Sequence, residues 1–383
     1  MLRYIIVNAV GTLLRGFPMP CRTGLVKIGN PGEDSPVFLT GNYCLTVERM
    51  KRVLEEEGID CYLLVANSRG INVWCSAAGG HFTHHDVISA LKTSGIERLV
   101  GHRRVILPQL AAAGIEARKV REKTGWSIVW GPVYAKDIPE FLRRGYKKSP
   151  EMREVKFPLT QRVEMAVMWA FPFSMIVALL AFFLWHSVLL PLFLLSWLLP
   201  LAIFVSFPLY SGLLERRKDV SSFSRYTVIF DFGKVPLILE AVFILFLVAY
   251  GAFTGKLSFE FLLRWGFASL VIVLLISIDL MGSTPVYKSG LHEERLLRVV
   301  LDEERCTGCG VCMDVCPRNC YEIDRKRRLA MMPRADKCVQ CGACIVQCPL
   351  DALHFESPDG KVIPPEVIRE FKLNLMGKRL VRV

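Results

Sequence analysis

Cys306-Thr307-Gly308-Cys309-Gly310-Val311-Cys312-Met313-Asp314-Val315-Cys316-Pro317 is followed by Cys338-Val339-Gln340-Cys341-Gly342-Ala343-Cys344-Ile345-Val346-Gln347-Cys348-Pro349. The two stretches are copies of one spacing, C-x2-C-x2-C-x3-C-P, and they use eight of the thirteen cysteines. Three thiolates at this spacing wrap three irons of a cubane cluster, and the fourth, ahead of the proline, crosses to the neighbouring cluster. The expected pairing is Cys306, Cys309 and Cys312 with Cys348 for one [4Fe–4S] cluster. Cys338, Cys341 and Cys344 pair with Cys316 for the second. Two complete copies argue against a zinc site or disulfides, so the chain is expected to carry low-potential electrons. Cys320, just after the first motif, reads as a small residue packing near a cluster.

Composition bounds the rest. A chain of 383 residues is expected to hold two or three domains. The hydrophobic fraction of 52% and the mean hydropathy of +0.35 are high for a soluble protein. A net charge of +12 implies an anionic partner. The basic residues are not interleaved with aromatics, so no nucleic acid is expected. The largest basic run lies beside the longest apolar run, which suits an anionic membrane surface. Thiol-held clusters and many unpaired cysteines point to a reducing compartment. Arg3–Leu14 is apolar, but Asn8 interrupts it and no small-x-small site precedes Arg15, so it reads as the first piece of the first domain rather than a cleaved signal.

The middle of the chain, 160–283, reads as a four-helix transmembrane domain. Its apolar runs cover about 163–185, 188–210, 235–254 and 265–282, each long enough for one crossing. Pro191, Pro200 and Pro208 are expected to kink the second. Arg143, Arg144, Lys147, Lys148, Arg153, Lys156 and Arg162 precede the first span. Arg216, Arg217, Lys218, Arg225 and Lys234 lie between the second and third, and Lys288, Arg295 and Arg298 follow the fourth. The other connections hold only Lys256 and Arg264. This asymmetry places a multi-pass protein in the cell membrane with both soluble parts on the cytoplasmic side. Glu240 and Asp279 within the spans read as helix-pairing or interfacial carboxylates, with a proton or ion path as the other reading.

Residues 1–150 alternate strand and helix signals. Thr46 reads as a helix cap and Gly58 as that helix's stop. Cys61–Ala66 is a continuous apolar run of buried-strand length. Thr83 with Asp86 forms a capping-box pattern, and Asp137 with Pro139 opens a last helix that Gly145 ends. Val105–Leu107 and Ser127–Trp130 read as further strands. The alternation implies a small α/β (Rossmann-like) domain with a mostly parallel sheet and a ligand site at the carboxyl ends of its strands. No phosphate-binding glycine motif occurs. One loop, Ile71–Gly80, sets Cys75 among small residues, where a large flat ligand can approach the backbone. A lone cysteine in such a place is usually a small buried hydrophobe. His81, His84 and His85 follow and offer a metal site with Cys75 or a solvated helical turn.

Asn72-Val73-Trp74-Cys75-Ser76-Ala77 resembles the cap-helix motif of the corrinoid protein of microbial mercury methylation (HgcA). Similar elements are Ser35-Pro36-Val37, Gly41-Asn42-Tyr43, Ile106-Leu107-Pro108-Gln109-Leu110, Gly131-Pro132-Val133 and Gly282-Ser283-Thr284-Pro285. The C-terminal part, an α+β dicluster bacterial-type ferredoxin over 296–357 with a basic tail 358–383, resembles that family's ferredoxin partner (HgcB). The chain therefore resembles a fusion of the two. The resemblance implies a cobalamin-like corrinoid whose cobalt takes Cys75 as lower axial ligand, with contacts from Asn72, Val73, Trp74, Ser76, Ala77 and Gln109. It implies a corrinoid-dependent methyltransferase in which the ferredoxin part, fed by a low-potential donor, reduces the corrinoid to Co(I). The methyl donor implied is a methyl-pterin or a methyltransferase that delivers it.

The chain departs from that family in two places. The family motif continues through glycine and lysine, where this chain has Ala78 and Gly79, and the tail from Leu350 to Val383 has no cysteine. Three readings follow. The acceptor is Hg(II) or a similar soft metal, or it belongs to other one-carbon metabolism. The alternative is a membrane-anchored dicluster ferredoxin that relays electrons without methyl transfer.

Overall fold

Burial on both faces dictates the first layer of the fold. The computed structural model describes residues 2–214, 225–280, 296–374 and 378–383. It begins with α1 (Leu2–Leu13), β1 (Gly24–Ile28), β2 (Val37–Gly41), α2 (Cys44–Glu56), β3 (Cys61–Ala66), α3 (Val73–Ala78) and α4 (His84–Thr93). β4 (Arg104–Leu107), α5 (Ala117–Thr124), β5 (Ser127–Trp130), α6 (Ile138–Arg143) and α7 (Pro150–Arg153) follow. The sheet order is β1-β3-β2-β4-β5, with β1 antiparallel at the edge and the other four parallel. Along β3, Cys61, Leu63 and Val65 pack with Leu54 and Phe141, whereas Tyr62, Leu64 and Ala66 pack with Val87, Leu91 and Val120. Helices thus cover both faces, which is why the strand reads as one apolar run. β2 and β4 are neighbours although β3 lies between them in sequence, so their carboxyl ends form a topological switch point.

The local signals are met unevenly. Thr83 and Asp86 form the expected capping box. Thr46 does not cap: α2 begins earlier, with Tyr43 in the cap position. Tyr43 is 2% exposed and its hydroxyl bonds the Gly11 and Arg15 carbonyls, so tertiary anchoring sets that helix start. Asp137 occupies a cap position without a side-chain capping bond.

Among the described residues, four helices are long and apolar enough to cross a membrane. α8 (Leu159–Leu184) and α9 (Leu189–Val205) form a hairpin, then come α10 (Phe207–Tyr210), α11 (Arg225–Thr254) and α12 (Phe259–Leu280). Ala166, Ala170 and Ser174 repeat at one turn's spacing on α8 and are buried, the small-residue stripe that lets membrane helices approach. Trp197 of α9 donates to Ser174 Oγ at 3.0 Å. The expected second span, 188–210, is split: α9 keeps Pro200 inside it, and the chain breaks at Ser206 into α10, where Pro208 occupies the first turn. Proline supplies no amide hydrogen and crowds the preceding turn, which explains the break. Ser269 Oγ of α12 donates to Glu240 Oε1 of α11 at 2.8 Å, the helix-pairing role expected of that carboxylate. The side chain of Asp279, residues Gly282 to Pro285, and Arg216, Arg217, Lys218, Lys288 and Arg295 lie outside the described residues.

The last module contains β6 (Arg298–Leu301), α13 (Val311–Val315), β7 (Glu322–Asp324), β8 (Leu329–Met331), α14 (Ala343–Gln347) and β9 (Leu353–Glu356). The segment 358–383, read as a basic tail, is folded. It forms β10 (Val362–Ile363), which pairs with β9, then α15 (Pro365–Glu370), β11 (Phe371–Leu373) and β12 (Arg379–Arg382).

This module is seated on the α/β domain. Gln347 of α14 donates to the Ala112 carbonyl at 2.7 Å and to that of Ile115. The Lys372 ammonium bonds the Ala113 carbonyl at 3.1 Å. Val155 donates its backbone N–H to Pro317 O at 2.9 Å. A further enclosed link is Lys148, whose side chain is 1% exposed. Its ammonium donates to Gln109 Oε1 (2.9 Å), Gly131 O (3.3 Å) and Asp314 O (2.8 Å). The Asp314 carboxylate stands 3.3 Å away.

Burial pushes the Lys148 ammonium down to about 8, with Asp314 pulling it back up. A lysine depressed on folding costs stability below its folded value, and that cost is relieved as pH rises toward the free value. Lys148→Met removes the donor from three enclosed oxygens and should destabilise the chain by about 2–4 kcal/mol at pH 7. The gap to wild type should widen between pH 8 and pH 10, read as the apparent unfolding midpoint in detergent. An unchanged midpoint, or a gap that narrows over that range, contradicts the assignment.

Candidate functional site

The switch point opens into a crevice of about 280 Å³. Thr40 of β2, Leu107 and Pro108 after β4, and Gly131, Pro132 and Val133 after β5 form its floor. Asn72, Val73 and Trp74 wall one side, and Arg15 and Arg49 reach in from another. Both arginines bond Glu164 at the start of α8, so the crevice rim is tied to the first membrane helix.

The residues 72–80 form a short helix rather than an open loop. Asn72 Oδ1 accepts the Cys75 backbone N–H at 2.9 Å and so caps α3. Cys75 is half-buried, immediately after the three residues that line the crevice. Burial raises the Tyr43 phenol from its ordinary value, Arg15 and Arg49 oppose that rise, and Cys75 lies near enough to add to it. Cys75, Ser76, Ala77 and Gln109, expected as cofactor contacts, are not among the residues that line the crevice. Ser76 Oγ bonds Asn72 O at 2.8 Å, and Ala77 is fully buried against the 3₁₀ turn Gln109–Ala113. Gly114 permits that contact, because a Cβ there would fall 2.5 Å from Ala77 O. The Gln109 amide donates to Arg153 O and accepts from Lys148.

The histidines do not assemble with Cys75. His84 is buried, its Nδ1 3.7 Å from Glu116 Oε1, and burial holds it down to about 4, so the ring is neutral. Among the described residues no three His, Cys, Asp or Glu side chains converge on a single-ion point. The C-terminal cysteines ring cavities instead.

Cys306, Cys309, Cys312 and Cys348 line one small cavity together. Burial pushes Cys312 up to about 12, and Cys309, Cys306 and Cys348 add to the rise. Cys341 is likewise pushed up to about 12 by burial, with Cys316 and Cys338 adding. Cys344 is raised by burial and by Cys341, Cys338 and Cys316. The fourth cysteine of each motif therefore stands with the first three of the other. The Cys320 N–H donates to Cys316 Sγ and the Ala352 N–H to Cys348 Sγ, each at 3.3 Å. Gly310 and Gly342, at φ +80° and +79°, turn the chain into α13 and α14 in the same way. Four soft thiols with amide donors to sulfur, walled by Val315, Ile345 and Leu353, fit an iron–sulfur cluster. Cys320, 1% exposed, packs beside the second ring.

Sequence reasoning missed the residues that join these sites: Lys148, Gln347 and Lys372 in the seam, and Arg15, Arg49 and Glu164 at the rim. Each looks like an ordinary surface side chain until the domains are placed together.

Two segments match known families. Residues 16–142 match the family described as CO dehydrogenase/acetyl-CoA synthase delta subunit, and residues 305–352 match the 4Fe-4S dicluster domain. The first segment is similar to acetyl-CoA decarbonylase/synthase complex subunits gamma. The one from Methanopyrus kandleri is 39% identical over 127 residues, 33% of this chain and 27% of the relative. That from Methanocaldococcus jannaschii is 37% identical over 131 residues, 34% of this chain and 26% of the relative. That from Archaeoglobus fulgidus is 36% identical over 129 residues, 34% of this chain and 27% of the relative. The chain spans about a quarter of the length of these curated relatives. It thus joins a segment similar to the gamma subunits, four apolar helices and a 4Fe-4S dicluster domain in one polypeptide.

Proposed function

We propose that the chain is a membrane-anchored corrinoid protein that transfers methyl groups and carries its own dicluster ferredoxin as reductant. The observation that carries this reading is Cys75 on a capped helix beside the switch-point crevice, within the segment similar to the gamma subunits. Apolar side chains make up much of the crevice lining, with Arg15, Arg49 and Asn72 at its edges, and glycine at 131 adds no side chain to its floor, which suits a broad flat ring. When bound, the corrinoid supplies a cobalt centre that takes up a methyl group in its reduced state and passes it on.

The residues of the chain divide the remaining work. Cys75 would hold the corrinoid's cobalt through its thiolate, a soft donor whose charge would favour giving up the methyl group as a carbanion or radical rather than a cation. Asn72 holds the Cys75 backbone in place through the capping bond. Val73, Leu107 and Pro108 exclude water. The two groups of four cysteines would hold [4Fe–4S] clusters, which would supply electrons at low potential. Similarity to acetyl-CoA decarbonylase/synthase subunits favours a one-carbon acceptor. Hg(II) is the other acceptor this apparatus suits, by its resemblance to the mercury-methylating corrinoid family. The methyl donor is a methyl-pterin or a methyltransferase that delivers it. The lysine and arginine asymmetry around the spans favours the cytoplasmic side of the cell membrane for both soluble modules. Arg162 near the start of α8 bonds the Val205 carbonyl at the end of α9, which supports a hairpin that begins and ends at one level.

Replacing Cys75 by alanine should leave a corrinoid bound with a spectrum shifted toward a water-ligated or base-off form, and methyl transfer to a carbanion acceptor should fall steeply. Cys75→His should retain ligation and still lose transfer, because imidazole donates less charge. Wild-type spectrum and full transfer in the alanine variant sink the ligation mechanism. A wild-type chain that binds no corrinoid leaves only the electron-relay reading.

Iron and acid-labile sulfide should come to about eight of each per chain, two cubanes' worth. A value near four refutes the dicluster reading. Cys316→Ala should damage the cluster of the second motif and spare that of the first, which electron paramagnetic resonance of the reduced variant distinguishes.

The sidedness is tested with an impermeant thiol reagent on intact cells, scored by peptide mass. Ser187→Cys, in the exposed turn between α8 and α9, should be labelled, and Lys361→Cys, exposed beside β10, should not. The opposite pattern overturns the topology.

A further inference from the structure

The two cysteine motifs are alike in sequence and opposite in surroundings. Thr307 and Cys309 of the first loop are exposed, and Cys309 has the most open side chain of the thirteen cysteines, all of which are described. Their counterparts in the second loop are Val339, 7% exposed, and Cys341, which packs against the core of the α/β domain. Gln340, where the first loop has Gly308, is 1% exposed. Arg379 of β12 covers the second loop and donates to the Gln340 carbonyl at 3.0 Å. Behind that loop, α14 rests on the 3₁₀ turn Gln109–Ala113, which packs on α3 and so leads toward Cys75. The Cys338–Cys341 loop thus faces the crevice domain, and the Cys306–Cys309 loop faces solvent.

The open half carries a basic tip. Arg325, Lys326, Arg327 and Arg328 form the exposed tip between β7 and β8. The tip lies against the first loop, because a Cβ on Gly308 would fall 2.6 Å from Arg328 backbone atoms. Glu303 is bonded to Arg327 and Asp302 to Arg305. Asp324 is turned inward and accepts the Lys326 and Arg327 backbone N–H groups. Among the described residues, Arg325, Lys326 and Arg328 make no ion pair, and Glu304 is the exposed carboxylate left to offset them.

We propose that the first-motif loop and the β7–β8 tip form the docking face for a small acidic redox protein, and that electrons leave through the enclosed second motif toward α3. The proposal rests on reading the motifs as clusters, as above. The donor is oxidised by one electron at each encounter and the first-motif cluster is reduced by one; no bond is made or broken. A basic rim around the exposed cysteine edge steers an acidic partner to the place where the transfer distance is shortest. An anionic lipid surface would meet the same charges. The tip's contact with the cluster loop favours the redox protein.

The test uses the full chain in nanodiscs of neutral lipid, with iron and sulfide measured first so that failure of the cluster reading is seen separately. The probe is an acidic flavodoxin. Binding is titrated with its oxidised form, and cluster bleaching is followed by stopped flow with its photoreduced form, each rate taken relative to that with dithionite. The triple variant R325E/K326E/R328E should bind oxidised flavodoxin about tenfold or more weakly at low salt and show a similar fall in relative rate. Wild-type binding should weaken steeply as salt is raised, and the variant's should not. Unchanged affinity and unchanged relative rate overturn the proposal. A variant that keeps both, yet loses preference for anionic over neutral nanodiscs, assigns the tip to the bilayer and equally overturns it.

Discussion

A buried ammonium group holds the two soluble modules in register. Lys148 has no water to fall back on, so every oxygen around it must be supplied by the fold. Gln109 and Gly131 supply two of them from the carboxyl ends of the α/β strands, and Asp314 supplies the rest from between two cluster cysteines. A displaced cluster helix would leave that charge stranded, at a cost far above the worth of an exposed pair. The seam is thereby specified and not merely adhesive. Gln347 repeats the logic on α14, where one amide satisfies carbonyls that the end of the 3₁₀ turn leaves open.

Much of this was legible in the sequence, for reasons that differ by element. Cys61–Ala66 reads as a strand because both its faces are buried and no polar residue interrupts it. Thr83 and Asp86 are legible because a capping box is local chemistry. That the fourth cysteine of each motif stands with the first three of the other was legible from spacing, since the geometry of a cubane leaves few ways to distribute thiolates. β1 was not legible: it is an edge strand of the antiparallel kind, and Lys27 on its open side weakens the pattern. Tyr43 starts α2 through contacts with residues far along the chain, which no local rule contains.

The site itself was half visible. Asn72 to Trp74 line the crevice, and Cys75 follows them in sequence without lining it. Ser76, Ala77 and Gln109 belong to the same stretches of similarity, yet they serve the packing of α3 on its neighbour and the anchoring of Lys148. A motif marks positions that are constrained, and a constraint of packing looks the same on paper as a constraint of contact. The seam residues lay beyond reach for the opposite reason, since a lysine ahead of a membrane span is first counted as topology.

The C-terminal hairpin adds a constraint of another kind. Gly80 lies so close to it that a Cβ would meet Val383 at 2.7 Å and Val381 at 3.2 Å, and Gly79 faces Leu373 O. The end of the ferredoxin module is thus packed against the loop that follows the cysteine helix. Partners on separate chains must find one another, and their reaction slows on dilution. On the proposed function the reductant would be part of the wall beside the helix it serves, so its effective concentration would be set by the polypeptide and would not change with expression level. One dicluster module to one crevice is the ratio that this single chain provides.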